Sequence, residues 1–178
     1  MDIKPTVLIL FIIFHLTYIS RYTPLAISEQ AKFGVPWEIT IGQALLESGG
    51  GTSEIARMNN NHFGMKCHER NCSSGHCTVM LDNLEGHTSR FRKFNTVWES
   101  YRAHSIKLAT EPRYASLRGL DWRSYAYGLE RCGWSADPEY AEKLIRIIEA
   151  NLKWRHFMFC LTGTPTFATK ADQFGIRL

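Results

Sequence analysis

Ile41-Gly42-Gln43-Ala44-Leu45-Leu46-Glu47-Ser48-Gly49-Gly50-Gly51-Thr52-Ser53 is the stretch on which the fold of this 178-residue chain turns. Pro36, just upstream, suits the first turn of a helix, where its missing N–H would find no partner anyway. Ile39, Ala44, Leu45 and Leu46 follow as an apolar helical face fit for burial. Gly49, Gly50 and Gly51 end the helix, because glycine supplies the φ > 0 conformations of a C-terminal cap. The pattern predicts a core helix from Pro36 to Glu47, with one carboxylate on its last turn beside a glycine-lined gap. A carboxylate half-sunk among apolar groups has its ionised form disfavoured and holds a proton closer to neutral pH. The glycines let a bulky ligand approach the backbone. Taken alone, a glutamate before a glycine is more often an ordinary exposed side chain. The neighbouring segments decide.

Upstream, Ile19, Tyr22, Leu25, Ala26 and Phe33 fit one helical face that stops at Gly34. Before it, the apolar run Val7 to Phe14 is broken by His15 and resumes at Leu16. It is short for a membrane span of about 20 residues and close to the apolar core of a secretory signal. Lys4 is offset by Asp2, and no small-x-small cleavage site follows. Residues 1–17 are expected to be an export signal or uncleaved anchor, with a buried first helix as the alternative.

Downstream, Asn59-Asn60-Asn61 within Met58 to Lys66 argues for a turn, since asparagine side chains compete for backbone hydrogen bonds. Cys67-His68-Glu69-Arg70-Asn71-Cys72-Ser73-Ser74-Gly75-His76-Cys77 holds three cysteines and two histidines. Thiolates and imidazoles are zinc ligands, but the C-x4-C-x4-C spacing lacks a tight knuckle. In an exported chain a local disulfide among Cys67, Cys72 and Cys77 is favoured over zinc or free thiols. Cys132 and Cys160 are expected to pair less reliably. Thr78 to Leu81 and Thr88 to Phe94 read as one hairpin, turning through Asp82 to His87. Helices follow from Val97 to about Thr110 and from Trp122 to Leu129, with a loop at 117–119. A last helix is capped by Asp137 and opened by Pro138. Its apolar face is Tyr140, Ala141, Leu144, Ile145, Ile148 and Leu152. Beyond Trp154 the periodicity fails, and 155–178 reads as an irregular tail.

With 44% hydrophobic residues, the chain can bury one good core. A net charge of +4 is mild. It suits an anionic polymer such as cell-wall material, but equally nucleic acid or no particular partner, and scattered Lys and Arg leave only a weak nucleic-acid footprint, so no nucleic-acid partner is expected. No internal repeat or low-complexity tract is present.

Four ordered blocks between residues 18 and 154 resemble the bacterial glucosaminidase domain, glycoside hydrolase family 73. They are Gln43 to Gly51, Asn60 to Lys66, Phe91-Arg92-Lys93-Phe94 with Trp98-Glu99-Ser100-Tyr101, and Gly133 to Ala141. The resemblance implies an α+β, mainly helical lysozyme-like fold with a small β-hairpin lobe and a sugar cleft between. It implies hydrolysis of the β-1,4 bond after N-acetylglucosamine in peptidoglycan. Glu47 matches the family's general acid. The second carboxylate belongs on the hairpin, where Asp82 and Glu85 are the candidates and Asp82 is preferred as the end of a strand. Alternatively, the substrate's 2-acetamido group serves as nucleophile and no second carboxylate is needed. Asn61, Phe63, Trp134 and Tyr140 are candidate sugar contacts, against the ordinary roles of turn former and core aromatics. Trp134 stands where the family has tyrosine. Ser48 lacks a histidine–acid pair that would make it a nucleophile, and His62 reads as structural.

The expected protein is thus a cofactor-free, metal-free monomeric hydrolase of glycan strands. It would be exported to the bacterial envelope and attached, if at all, through residues 1–17. The domain would occupy 18–154. Two rivals remain: a wall-binding module of the same fold that no longer cuts, and a zinc-stabilised interaction domain built on Cys67 to Cys77.

Overall fold

The glycine-terminated helix forms where its sequence pattern places it. In the computed structural model the backbone is described for residues 5–67, 75–82 and 87–162, and side chains for 15–67, 75–80 and 88–151. We number the helices and strands in chain order. α2 (Trp37–Ser48) begins after Pro36 and ends at Gly49, whose left-handed φ of 57° lets its N–H bond the Leu45 carbonyl. Ile39 to Leu45 are all buried, so α2 is central rather than one-faced.

Around it lie α1 (Pro5–Phe33), α4 (Val97–Thr110), α5 (Trp122–Arg131) and α6 (Tyr140–Thr162). One core cluster joins Ile39 to Leu108, Leu117, Leu129, Leu144 and Ile148. The other joins Ile41, Ala44 and Leu45 to Tyr18, Ile19, Phe63, Phe94 and Tyr101. α2 and α6 cross closely because Gly42 has no side chain: a Cβ there would lie 2.7 Å from Ile148 Cγ1 and 2.8 Å from Leu144 Cδ1. Arg102 of α4 reaches the fully buried Glu29 of α1 through Nε and Nη2 at 2.7 and 2.8 Å. That bidentate pair satisfies a carboxylate which would otherwise be costly inside.

The small lobe is the expected hairpin. β1 (Cys77–Asp82) pairs antiparallel with β2 (His87–Arg92), Cys77 facing Arg92 and Asp82 facing His87. Lys66 bridges Phe91, and a Cys67–Cys77 disulfide ties the incoming chain to the start of β1. The asparagine run does more than turn. Asn59 ends the short α3 (Glu54–Asn59), and Asn60 takes a left-handed φ of 50°. The Asn60 amide donates to the Phe94 and Asn95 carbonyls, while Thr78 donates to Asn59 Oδ1. These bonds fasten the hairpin base to the helical lobe.

α1 runs unbroken across residue 17, and Tyr18 and Ile19 belong to the core. The observed elements differ from the expected ones in two places. α6 extends to Thr162 instead of stopping at Trp154, since nothing between 154 and 162 breaks a helix. Residues 112–116, unassigned in the sequence, and Leu117, expected in a loop, form a 3-10 helix begun by Pro112. No described helix is long and apolar enough to cross a membrane.

Candidate active site

Glu47 sits on the last turn of α2, half-buried, with Tyr140 of α6 and Trp134 of the α5–α6 connection against it. Trp134 is delivered by the end of α5: Gly133 is left-handed at φ 67°, and the Trp134 N–H closes onto the Leu129 carbonyl. Its indole lies beside the Glu47 carboxylate and favours the ionised form of that group. The Tyr140 hydroxyl lies 3.4 Å from Glu47 Oε1 and donates to it. Burial pushes the Glu47 pKa up from the ordinary carboxylate value, and the Trp134 and Tyr140 bonds partly offset the rise. The result is a carboxyl that keeps its proton at higher pH than an exposed one.

Behind these groups is a dry polar chain that sequence reasoning missed. Gln43 and His104 are both fully buried. Gln43 Nε2 is 2.7 Å from the Tyr140 oxygen, and Gln43 Oε1 is 2.8 Å from His104 Nε2. Phe63 stacks on the His104 ring at 4.0 Å, and the Trp134 indole meets it edge-on at 5.7 Å. Burial drives the His104 pKa down to about 3, helped by the charge on Lys107, so its imidazole is neutral. The available signal was a glutamine one helical turn before Glu47, which places both on one face of α2.

The glycine turn beside Glu47 is held by its own backbone. Ser48 accepts from the Gly51 N–H at 2.7 Å and donates to the Ala44 carbonyl. Its hydroxyl is buried and fully engaged, in keeping with its exclusion as a nucleophile. At Gly51 (φ 85°) a Cβ would come within 3.0 Å of Tyr18. His62 bonds Tyr18 through Nδ1 at 2.6 Å, and burial lowers its pKa to about 4, so it serves the core.

The structure shows where the expected sugar contacts sit. Asn61 is buried, donates to the Met65 and Arg92 carbonyls and accepts from the Met65 N–H, so its amide is spent on the turn. Phe63 is 4% exposed and gives one face to His104. Tyr140 is 3% exposed and touches the site through its hydroxyl rather than its ring face. Trp134 is partly exposed, with the Lys107 ammonium 5.0 Å over its ring. Asp82 is the last residue of β1, but its side chain, like all of Glu85, lies outside the described residues. Cys72 and the side chain of Cys160 lie outside them likewise, while Cys132 is a free thiol. The Cys67–Cys77 bond removes two of the thiolates that the zinc-domain reading required.

Comparison with known proteins bears on the same region. The Glucosaminidase family model, described as mannosyl-glycoprotein endo-beta-N-acetylglucosaminidase, matches residues 23–153. The exo-glucosaminidase LytG of Bacillus subtilis is 33% identical over 129 residues, 66% of this chain and 45% of that protein. The chain therefore spans less than half the length of that relative. A peptidoglycan hydrolase from Sphingomonas sp. A1 superposes with a TM-score of 0.71 at 25% identity, covering 85% of this chain and 98% of the other. The glycoside hydrolase domain of Salmonella typhimurium FlgJ does so with a TM-score of 0.66 at 25% identity, covering 89% and 98%.

Proposed function

This chain belongs to the glucosaminidase family, and on that premise we propose that it is a peptidoglycan hydrolase of the cell envelope, with Glu47 as general acid. The bond cut is the β-1,4 linkage after N-acetylglucosamine. The observation that carries the reading is the environment of Glu47: a carboxyl whose pKa is raised by burial, with the Tyr140 hydroxyl and the Trp134 indole beside it at the edge of a glycine turn. Such a group gives its proton to the glycosidic oxygen as the C–O bond to the anomeric carbon breaks. The anomeric carbon is then captured by water or by the substrate's acetamide. Water needs a base across the sugar, and inverting enzymes hold that pair roughly 6.5–9.5 Å apart. Asp82 is our first choice for the base and Glu85 the second.

Digestion of purified peptidoglycan followed by mass spectrometry tests the reading, because the new reducing end identifies the bond cut. N-acetylglucosamine at that end is expected, and N-acetylmuramic acid there would refute it. Glu47→Gln preserves shape but has no proton to deliver, and should lower turnover by roughly 10²–10⁴ with the fold intact. Intact glycan binding with no cleavage by the unmodified chain would favour the wall-binding module instead. Either Asp82→Asn or Glu85→Gln should cost about a hundredfold if the hairpin supplies the base. Unchanged turnover in the double variant would assign that step to the acetamide.

A further inference from the structure

We infer that His104 and Gln43 are positioning residues which fix the direction of the Tyr140 hydroxyl, and thereby leave the proton of Glu47 free to face the substrate. The inference rests on the general-acid role proposed for Glu47. It starts from one buried atom. His104 Nδ1 has no hydrogen-bond partner, while Nε2 faces Gln43 Oε1 at 2.8 Å. A neutral imidazole carries its single N–H on one nitrogen or the other. Putting it on Nδ1 would bury a donor with nothing to receive it, whereas an unpaired acceptor is the lesser penalty. The N–H therefore sits on Nε2 and points at Gln43.

Everything downstream follows from that proton. Gln43 Oε1 accepts from His104, so the amide cannot be flipped, and Nε2 donates to the Tyr140 oxygen at 2.7 Å. The tyrosine oxygen, already accepting, sends its own hydrogen to Glu47 Oε1, 3.4 Å away. That last bond is longer than a typical O–H···O contact, as catalytic bonds often are before substrate binds. Trp134 is a donor by nature. Of the carboxyl's two protein neighbours, Tyr140 donates to it and the Trp134 indole has only a donor to offer, so neither accepts from it. A protonated Glu47 has no protein acceptor among them, and its hydrogen is available only to a group in the cleft. With the opposite tautomer the amide would turn over, Tyr140 would donate to Gln43, and its oxygen would capture the acid's proton. The charged or titratable groups nearest this chain are Glu47, Tyr140, Tyr114 and, above Trp134, Lys107.

Two readouts test this, one of them independent of activity. Long-range ¹H–¹⁵N spectra of the full chain, labelled at histidine, report the His104 tautomer directly. Protonation at Nε2 is expected, and protonation at Nδ1 would overturn the proposal even if the chain hydrolyses peptidoglycan. If the chain shows no hydrolysis, the general-acid reading fails while the tautomer is still decided. The second readout is a double-mutant cycle on turnover. Gln43→Met keeps the volume and removes both bonds. It should lower kcat about tenfold with KM within about twofold, but add less than about twofold in a Tyr140→Phe background. An equal loss in both backgrounds would mean that Gln43 acts through packing and would overturn the proposal. Should Gln43→Met not fold, the tautomer in the unmodified chain decides.

Discussion

Replacing the Tyr140 hydroxyl by hydrogen removes one of the two groups that favour ionised Glu47. A general acid works protonated, so turnover falls as pH rises through its pKa. Losing a donor raises that pKa further, and Tyr140→Phe should move the alkaline limb of the kcat profile upward. Trp134→Phe should shift it in the same direction. Profiles of the two variants against the parent check this, and a downward shift in either would contradict the assigned bonds. Peak activity of Tyr140→Phe should also fall, about tenfold, because the carboxyl loses part of its orientation. At this scale the sequence announced Glu47 through its glycines but concealed its support. Gln43 looks like one polar residue on an apolar helix, and His104 like any histidine in α4. Their roles depend on contacts across 61 and 97 positions of chain, which no local pattern records. Asn61 and Phe63 show the complementary limit: their motif did not reveal that both are buried, Asn61 in bonds to Met65 and Arg92 and Phe63 against His104.

The disulfide belongs to the scale of elements. It joins Cys67 to Cys77 across ten positions, and the asparagine bonds hold the same hairpin base from the other side. Reduction should lower the unfolding free energy by roughly 2–3 kcal/mol, the size expected for closing a short loop. Thermal melts with and without reductant, beside a Cys67→Ser variant, measure it. An unchanged midpoint would mean that the hairpin base needs no covalent tie. Element boundaries were legible where chemistry punctuates the chain. α4 begins after Thr96, whose side chain accepts from the Glu99 N–H, and α5 after Asp121, which accepts from Arg123 and Ser124. Asp137 caps the approach to α6 by accepting from the Glu139 N–H, although regular helix starts only at Tyr140. The 3-10 turn and the run of α6 to Thr162 have no comparable punctuation, and there the reading stopped early.

For the molecule as a whole, two buried imidazoles set how it meets acid. His62 and His104 are held neutral, with pKa values near 4 and 3 against an ordinary 6.5. Below about pH 6.5 the unfolded chain takes up these protons and the folded chain does not, so stability is lost as pH falls. Each group contributes about 1.4 kcal/mol per pH unit until its folded pKa is reached. Urea midpoints should therefore drop steeply between pH 6.5 and 4, and a flat profile would show that these rings are not held neutral. A second global tie is Arg102 on Glu29, where Arg102→Met strands a fully buried carboxylate. It should lower the urea midpoint far more than Arg123→Met, whose partner Glu149 is partly exposed. The missing side chain of Gly42 has a consequence at this scale too. Glu47 rides on α2 and Tyr140 on α6, and the separation of those helices is set where Gly42 meets Leu144 and Ile148. A mutational scan scored only on turnover would mark this contact line as intolerant as Glu47, although all three residues are buried in the helix–helix contact. Selection for activity would thus read as catalytic a position whose whole contribution is to be empty.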